Sequence, residues 1–465
     1  MSYLSKHVAI VAMSITAVGV TIALFAKKRK YLPHEGVDAN LSEVSLEELL
    51  NPSNRADHLQ FNATLLAKYP THDVVRVSGR LGKASVFLVH RYDRVMEVIA
   101  NHQAFTSNPW PESRSLVTLN TMDKLDHDRV YKILKKYYTA SSVEQLKPML
   151  IQIIEEQGVR FLENGDVVEF SKRFHMHVSL VASGLSPSIN AESVMIDKFI
   201  KWNDIAVRLT APLGGVGRPP RVTAKSTLAL FRGMIASIPS VGGLIYRIGF
   251  FQTWKLLSPL EALFPSEPYG QTWDYPELLK EIPIYFNCLF DLMMRSEADT
   301  PAGALFRNIG INLSGSEALA TAVQLMVNMT TANAVMSLIF RRMTDSSTTC
   351  EDILDRDAPL QRNPRRALFD TLIGETFIPK GSLILLMLGS ANADRSNEKV
   401  TTTFGFGLHH CLGRHLVNSE LECVSEWLIA NRISDRATLR GTLCRLTDID
   451  VGNWGFSHFK VSISE

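Results

Sequence analysis

The chain has 465 residues and carries 49 basic against 47 acidic side chains, a formal net charge of +2. So even a balance argues against a nucleic-acid partner, while the length is enough to bury a large core. Five cysteines (Cys288, Cys350, Cys411, Cys423, Cys444) with no Cys-x-x-Cys spacing argue against a zinc site and fit a reducing compartment better than a disulfide framework.

Val8 to Ala26 is an uncharged run of 19 residues, long enough to cross a hydrocarbon core. Lys6 alone precedes it, whereas Lys27-Lys28-Arg29-Lys30 follow at once. That asymmetry predicts a single-pass anchor with the carboxyl-terminal bulk in the cytosol. A cleaved signal peptide is the rival, but the basic exit and Leu24 suit the cleavage rule poorly. Residues 1–30 therefore read as anchor with basic stop, and 31–465 as one domain entered through a short hinge at Tyr31-Leu32-Pro33.

Val74–Val77 and Ser85–Val89 have strand character on either side of a Gly79–Gly82 turn, which predicts a small antiparallel sheet. A basic helix starts near Asp126 and runs to Tyr138; by charge pattern alone it is a solvated face. Residues 145 to 210 read as amphipathic helix. Gly214–Pro220 must be a loop, and Leu244–Phe251 is apolar enough for either core packing or contact with lipid. Ser314-x-x-Glu317 is a capping box, and neither proline nor glycine interrupts the chain from Ser316 to Arg341. A helix that long and apolar nearly all round must run through the centre. An acid-rich helix follows at Glu351–Asp357. Next come a turn at Ile378-Pro379-Lys380-Gly381 and an apolar strand, then a helix from Arg414 past Glu420 and Trp427. The tail, Phe459 to Ile463, alternates like a terminal strand.

The most specific stretch is Phe404-Gly405-Phe406-Gly407-Leu408-His409-His410-Cys411-Leu412-Gly413-Arg414. If Cys411 binds a metal, its thiolate needs backbone N–H groups aimed at the sulfur, and glycines let the backbone approach that closely. Phe404 would then wall the ligand from water, and Gly413 would let the next helix start tight against a flat cofactor. From average residue usages, Phe404, Gly407, Cys411 and Gly413 at these spacings arise by chance in roughly one chain in a thousand. A lone buried cysteine is more often structural, but the whole pattern is not that of a lone cysteine.

This stretch resembles the haem-binding loop of the cytochrome P-450 family, with Cys411 as axial thiolate ligand. The resemblance implies a mainly α fold with small β-sheets, here with an N-terminal transmembrane helix, holding haem b between the central helix and the cysteine loop. It implies that His127, Lys132, Arg365 and His409 meet the haem propionates, and that Phe404, Gly407 and Gly413 shape the cofactor loop. Thr330 takes the place of the oxygen-activating threonine. Departures are equally plain. Val327 and Met329 stand where the family has a glycine and an acid, and Tyr131 where an arginine is expected. Asp352 and Asp355 replace the glutamate and arginine of the helix beneath the cysteine loop. Arg356 lies one place late, about a hundred degrees round that helix. Two intervals, Thr331 to Asp352 and Asn392 to Cys411, are short at 21 and 19 positions.

By that resemblance the chain is expected to be a membrane-bound monooxygenase of fungal or bacterial specialised metabolism. It would sit in the endoplasmic reticulum with its catalytic domain cytosolic. Its substrate would be a mid-sized apolar small molecule, and its electrons would come from NADPH through a separate cytochrome reductase. Two alternatives stand beside it: a haem-thiolate isomerase or dehydratase that needs no proton relay, and a family member that has lost catalysis.

Overall fold

Two apolar runs, Val86–Val89 and Leu383–Met387, are hydrophobic at every position rather than at alternate ones, which suits strands covered on both faces. The computed structural model describes residues 42–45, 48, 58–81, 84–108, 118–186, 195–203, 275–327, 330–395, 400–445 and 455–464. In it, β1 (Glu43–Ser45), β2 (Val74–Leu81), β3 (Ala84–Val89), β4 (Phe105–Thr106), β5 (Arg362–Ala367) and β8 (Leu383–Met387) form one sheet in the order β1-β2-β3-β8-β5-β4. A separate hairpin, β6 (Thr371–Ile373) and β7 (Thr376–Ile378), lies between β5 and β8 in the chain. The expected antiparallel pair is present, with Val74 opposite Val89. The sheet is larger than expected because β8 adds parallel to β3, Val86 opposite Leu383.

Alternation along these strands sorts their side chains between two cores. Phe87, Val89, Ile384 and Leu386 join one, with Tyr92, Val95 and Val98 of α2 (Tyr92–Ala100). Val86, Leu88, Leu385 and Met387 join the other, with Phe61 and Leu65 of α1 (His58–Lys68). Each face is thus sealed by a helix.

Most of the remaining helices make the larger core. They are α3 (Lys124–Leu134), α4 (Ala140–Glu144), α5 (Lys147–Asn164), α6 (Val167–Ala182), α7 (Tyr275–Arg295), α8 (Pro301–Arg307), α9 (Gly315–Val327), α10 (Thr330–Thr344), α11 (Cys350–Arg356), α13 (Arg414–Ala430) and α14 (Ile433–Arg436), whereas α12 (Leu388–Asp394) joins the sheet core through Leu388 and Ala391. The capping box forms as read: the Ser314 N–H donates to Glu317 at 2.7 Å, and the Glu317 N–H to Ser314 Oγ at 3.2 Å. α10 is buried continuously from Thr331 to Ile339, as a central helix must be. The stretch Gly315–Thr344 is long and apolar enough to cross a membrane, but 67% of its apolar window is buried inside the protein. That is how a core helix behaves.

α10 ends at Thr344 and α11 begins at Cys350, so the short interval after Thr331 holds no further helix. The tail pairs as expected: β12 (Val461–Ile463) runs antiparallel to β9 (Ala437–Leu439), beside a second pair of β10 (Cys444–Arg445) with β11 (Phe456–His458). The predicted anchor Val8–Ala26, the hinge, Gly214–Pro220, Leu244–Phe251, Asn328 and Met329 lie outside the described residues.

Candidate active site: a cysteine loop beside buried cations

The cysteine loop leaves the sheet side of the molecule and enters α13. Phe406 packs on the sheet core, while Phe404 and Leu412 pack on the helical core, so the loop bridges the two. Gly405 and Gly407 take φ of +64° and +61°, a left-handed conformation that side-chain-bearing residues rarely adopt. A Cβ on Gly405 would also come within 3.1 Å of the His409 carbonyl. The Cys411 N–H donates to the Phe404 carbonyl at 2.8 Å, closing the loop on itself.

Burial pushes the Cys411 thiol up, but the Gly413 backbone hydrogen bond and the Arg414 charge both favour its thiolate. Gly413 itself has an ordinary φ of −83° at the start of α13. A Cβ there would meet Cys411 Sγ at 3.9 Å, an ordinary contact. Nothing among the described residues therefore requires a glycine at this position.

Beside the loop lies a group of buried basic side chains. Arg365 on β5 is 6% exposed; it donates to Asn363 Oδ1 at 2.6 Å and to the Pro364 carbonyl at 2.8 Å. No carboxylate pairs with it among the described residues, and burial lowers its pKa to about 10. His127 of α3 and His409 stand edge to face at 5.1 Å. Burial, reinforced by the Arg365 and His127 charges, pulls the His409 pKa down to about 3. The Nδ1 atoms of both histidines are buried without a hydrogen-bond partner among the described residues. His127 Nδ1 lies 3.7 Å from the Asp128 carboxylate, whereas Arg365 is a buried cation that no carboxylate balances among the described residues, and such a group marks a place for an anion.

Of the residues singled out from sequence, the structure brings His127, Arg365 and His409 together. Lys132 is exposed and makes no hydrogen bond or ion pair among the described residues, because helical rotation turns it away from His127. Tyr131, in the position where an arginine was expected, stacks on the His127 ring instead, with centroids 5.5 Å apart. Thr330 opens α10 half-buried and is already engaged. The hydroxyl beside it, Thr331, is 1% exposed and has no partner among the described residues. Thr331 was missed because adjacent threonines cannot be ranked without knowing which way the helix faces.

The two acids that replace the expected acid–base pair have separate fates. Asp352 caps α11 through Thr349, and its contact with Arg356 is a surface pair at 3.9 Å. Asp355 pairs with Arg395, 40 positions along the chain.

Comparison with known proteins gives one picture. No family model matches the chain. A provisionally named cytochrome P-450 133B2 of Xylella fastidiosa is 26% identical over 229 residues, 43% of this chain and 54% of that protein. The chain thus spans about half the length of the curated relatives that head the comparison. Cytochrome P-450 CYP107DY1 of Priestia megaterium is 21% identical over 434 residues, 82% of this chain and 90% of the relative. Among solved structures, CYP109E1 of Bacillus megaterium in complex with testosterone superposes with a TM-score of 0.65 at 17% identity, over 89% of this chain and 100% of that one. CxnD, a cytochrome P-450 for C–S bond formation in chuangxinmycin biosynthesis, also gives 0.65, at 18% identity over 94% of this chain and 99% of its own. The fold is therefore that of the cytochromes P-450, mainly helical with small sheets. The relatives by sequence are bacterial and carry the same family name, which supports membership of that family. Proteins of the family bind haem b with a cysteine thiolate on the iron.

The residues present fit that group: a cysteine whose thiolate is favoured by Gly413 and Arg414, and near it a buried guanidinium, Arg365, with no carboxylate among the described residues.

Proposed function

We propose that the chain is a membrane-anchored haem-thiolate monooxygenase that hydroxylates or epoxidises a mid-sized apolar metabolite in specialised metabolism. The observation that carries this reading is Arg365, buried near the Cys411 loop with no carboxylate among the described residues, with His127 and half-buried His409 beside the loop. Bound there, haem b would supply activation of dioxygen and transfer of one oxygen atom to substrate. Cys411 would hold the iron, its thiolate favoured by the Gly413 N–H and the Arg414 charge. Arg365, His127 and His409 would hold the carboxylates. The buried face of α10 would keep water from the substrate, and its threonine hydroxyls would hold protons close by. Electrons come from NADPH through a separate cytochrome reductase, and Val8–Ala26 holds the chain in the endoplasmic reticulum membrane. Deleting residues 1–30 should release the protein from membranes while haem binding persists; full retention would overturn the anchor.

The test of the central claim is a reduced, carbon-monoxide-bound spectrum of the purified full-length protein. The expected result is the long-wavelength band of a thiolate-ligated haem, lost in Cys411→Ala. A wild type that takes up no haem would overturn the enzyme reading. A second reading, a haem-thiolate isomerase or dehydratase, draws on Val327 and Met329, which leave no acid beside Thr330. Turnover with NADPH and reductase separates the two.

A further inference from the structure

Asp355 lies in the last turn of α11, and its carboxylate is paired with the Arg395 guanidinium. The side chains are 37% and 12% exposed, so the pair is shielded and its arginine nearly buried. Arg395 directly follows α12. Asn392 brackets the same place. Its Nδ2 donates to the Asp355 carbonyl at 3.3 Å and to Thr403 Oγ1 at 3.2 Å, while its Oδ1 accepts the Thr402 N–H at 2.8 Å. Thr403 Oγ1 donates to the Leu354 carbonyl at 2.5 Å. Gly405 then bonds back to the Thr402 carbonyl at 2.9 Å, and Cys411 to Phe404. Behind α11, Arg341 of α10 grips Asp357 with two hydrogen bonds of 2.5 and 2.8 Å. The central helix, α11, α12 and the strap Thr401–Thr403 are thereby tied into one frame.

We propose that the Asp355–Arg395 ion pair, bracketed by Asn392, is the clasp that positions the Cys411 loop, with the acid on α11 and the base at the end of α12, whose Asn392 holds the strap. Neither Asp352 nor Arg356 can serve. Asp352 is used in the helix cap, and the Arg356 side chain is 79% exposed. A hydrogen bond to a charged partner is among the stronger ones in a protein, and a nearly buried guanidinium deprived of its acid draws the strap open toward water. The two residues act through the loop and are positioning residues.

The inference rests on the haem reading only for an optical readout, so it is tested with and without haem. In the full-length protein as purified, the alkylation rate of each cysteine would be followed by mass spectrometry. Arg395→Ala and Asp355→Ala should raise the rate at Cys411 about tenfold, the equivalent of one charged hydrogen bond. Cys423, 2% exposed on α13, should not change. The reversed pair Asp355→Arg with Arg395→Asp should return the rate toward that of the wild type, which a general loss of stability cannot do. In haem-loaded protein the same single variants should move the reduced carbon-monoxide band from long to short wavelength. If either alanine variant fails to fold, Asp355→Asn and Arg395→Lys replace it. The clasp is overturned if folded single variants leave Cys411 as slow as before, or if the reversed pair is as open as the singles. A wild type without haem removes the proposed function but leaves the alkylation result decisive for the clasp.

Discussion

Glu420 on α13 and Arg365 on β5 are both buried charges, yet only the first has a counter-ion. Glu420 is 0% exposed and accepts His175 Nδ1 at 2.8 Å, and Ser179 Oγ lies 3.4 Å from the other ring nitrogen. Arg365 is 6% exposed and faces no carboxylate among the described residues, and His127 and half-buried His409 stand near it. A buried charge with a counter-charge beside it belongs to the scaffold, although Glu420 Oε1 itself has no hydrogen-bond partner among the described residues; a buried cation without a counter-charge is held for something the chain binds. The two sites therefore respond to mutation with opposite signs.

The largest effect is expected at the paired site. Glu420→Ala, or His175→Ala, leaves its partner buried without the counter-charge, which costs about 3–5 kcal/mol. Replacing both by leucine should be far milder than either single change. Urea unfolding measures both. At the unpaired site the haem-free protein should gain stability. Arg365→Leu removes an uncompensated buried cation, a gain of about 1–3 kcal/mol in the same urea titration, while haem is retained less well. If Arg365→Leu instead weakens the haem-free protein as much as Glu420→Ala does, the distinction between the sites collapses.

The same contrast explains what could be read from the sequence. The Cys411 loop was legible because each of its requirements is local: a left-handed glycine, a nearby sulfur, a helix start. The apolar strands and the Ser314 capping box were legible for the same reason. Arg395 was not, because its partner Asp355 lies 40 positions away and only folding brings them together. Nor was the division of labour between Asp352 and Asp355, which depends on one being spent in a cap. Lys132 was assigned to the propionate site from its place in a motif, and one step of helical rotation puts it in solvent. The sheet was read too small because β8 reaches β3 across nearly 300 residues of chain.

A smaller effect sharpens the comparison through pH. Desolvation raises the Glu420 pKa above its ordinary 4.5, with His175 opposing. The folded state then keeps its proton where the unfolded chain has lost it. This contribution to stability is complete below 4.5, declines as pH rises toward the folded pKa, and is level beyond it. Glu420→Gln keeps a hydrogen-bonding amide near His175 and removes the ionisation. Its stability relative to the parent should therefore improve through that window, by at most about 1.4 kcal/mol per pH unit. Urea titrations at a series of pH values read this directly. A difference that stays flat with pH would mean that Glu420 titrates as it does in the unfolded chain.

The smallest effect concerns Thr331, which carries the argument about unpaired groups onto the central helix. Its hydroxyl is buried without a partner among the described residues, whereas Thr330 is half-buried and engaged. Valine keeps the shape and removes the polar atom, so Thr331→Val should leave stability unchanged or raise it by about 1 kcal/mol. If the hydroxyl is kept for proton delivery, the variant should couple less of its NADPH to product and release more hydrogen peroxide. Thr330→Val should disturb coupling less, because Thr330 is half-buried and already engaged. The opposite ranking would restore Thr330, the residue that sequence alignment favours, as the working hydroxyl. The unpaired hydroxyl of Thr331 would then be a packing compromise, and an unsatisfied buried group would no longer point reliably to the ligand on this helix as it does around Arg365.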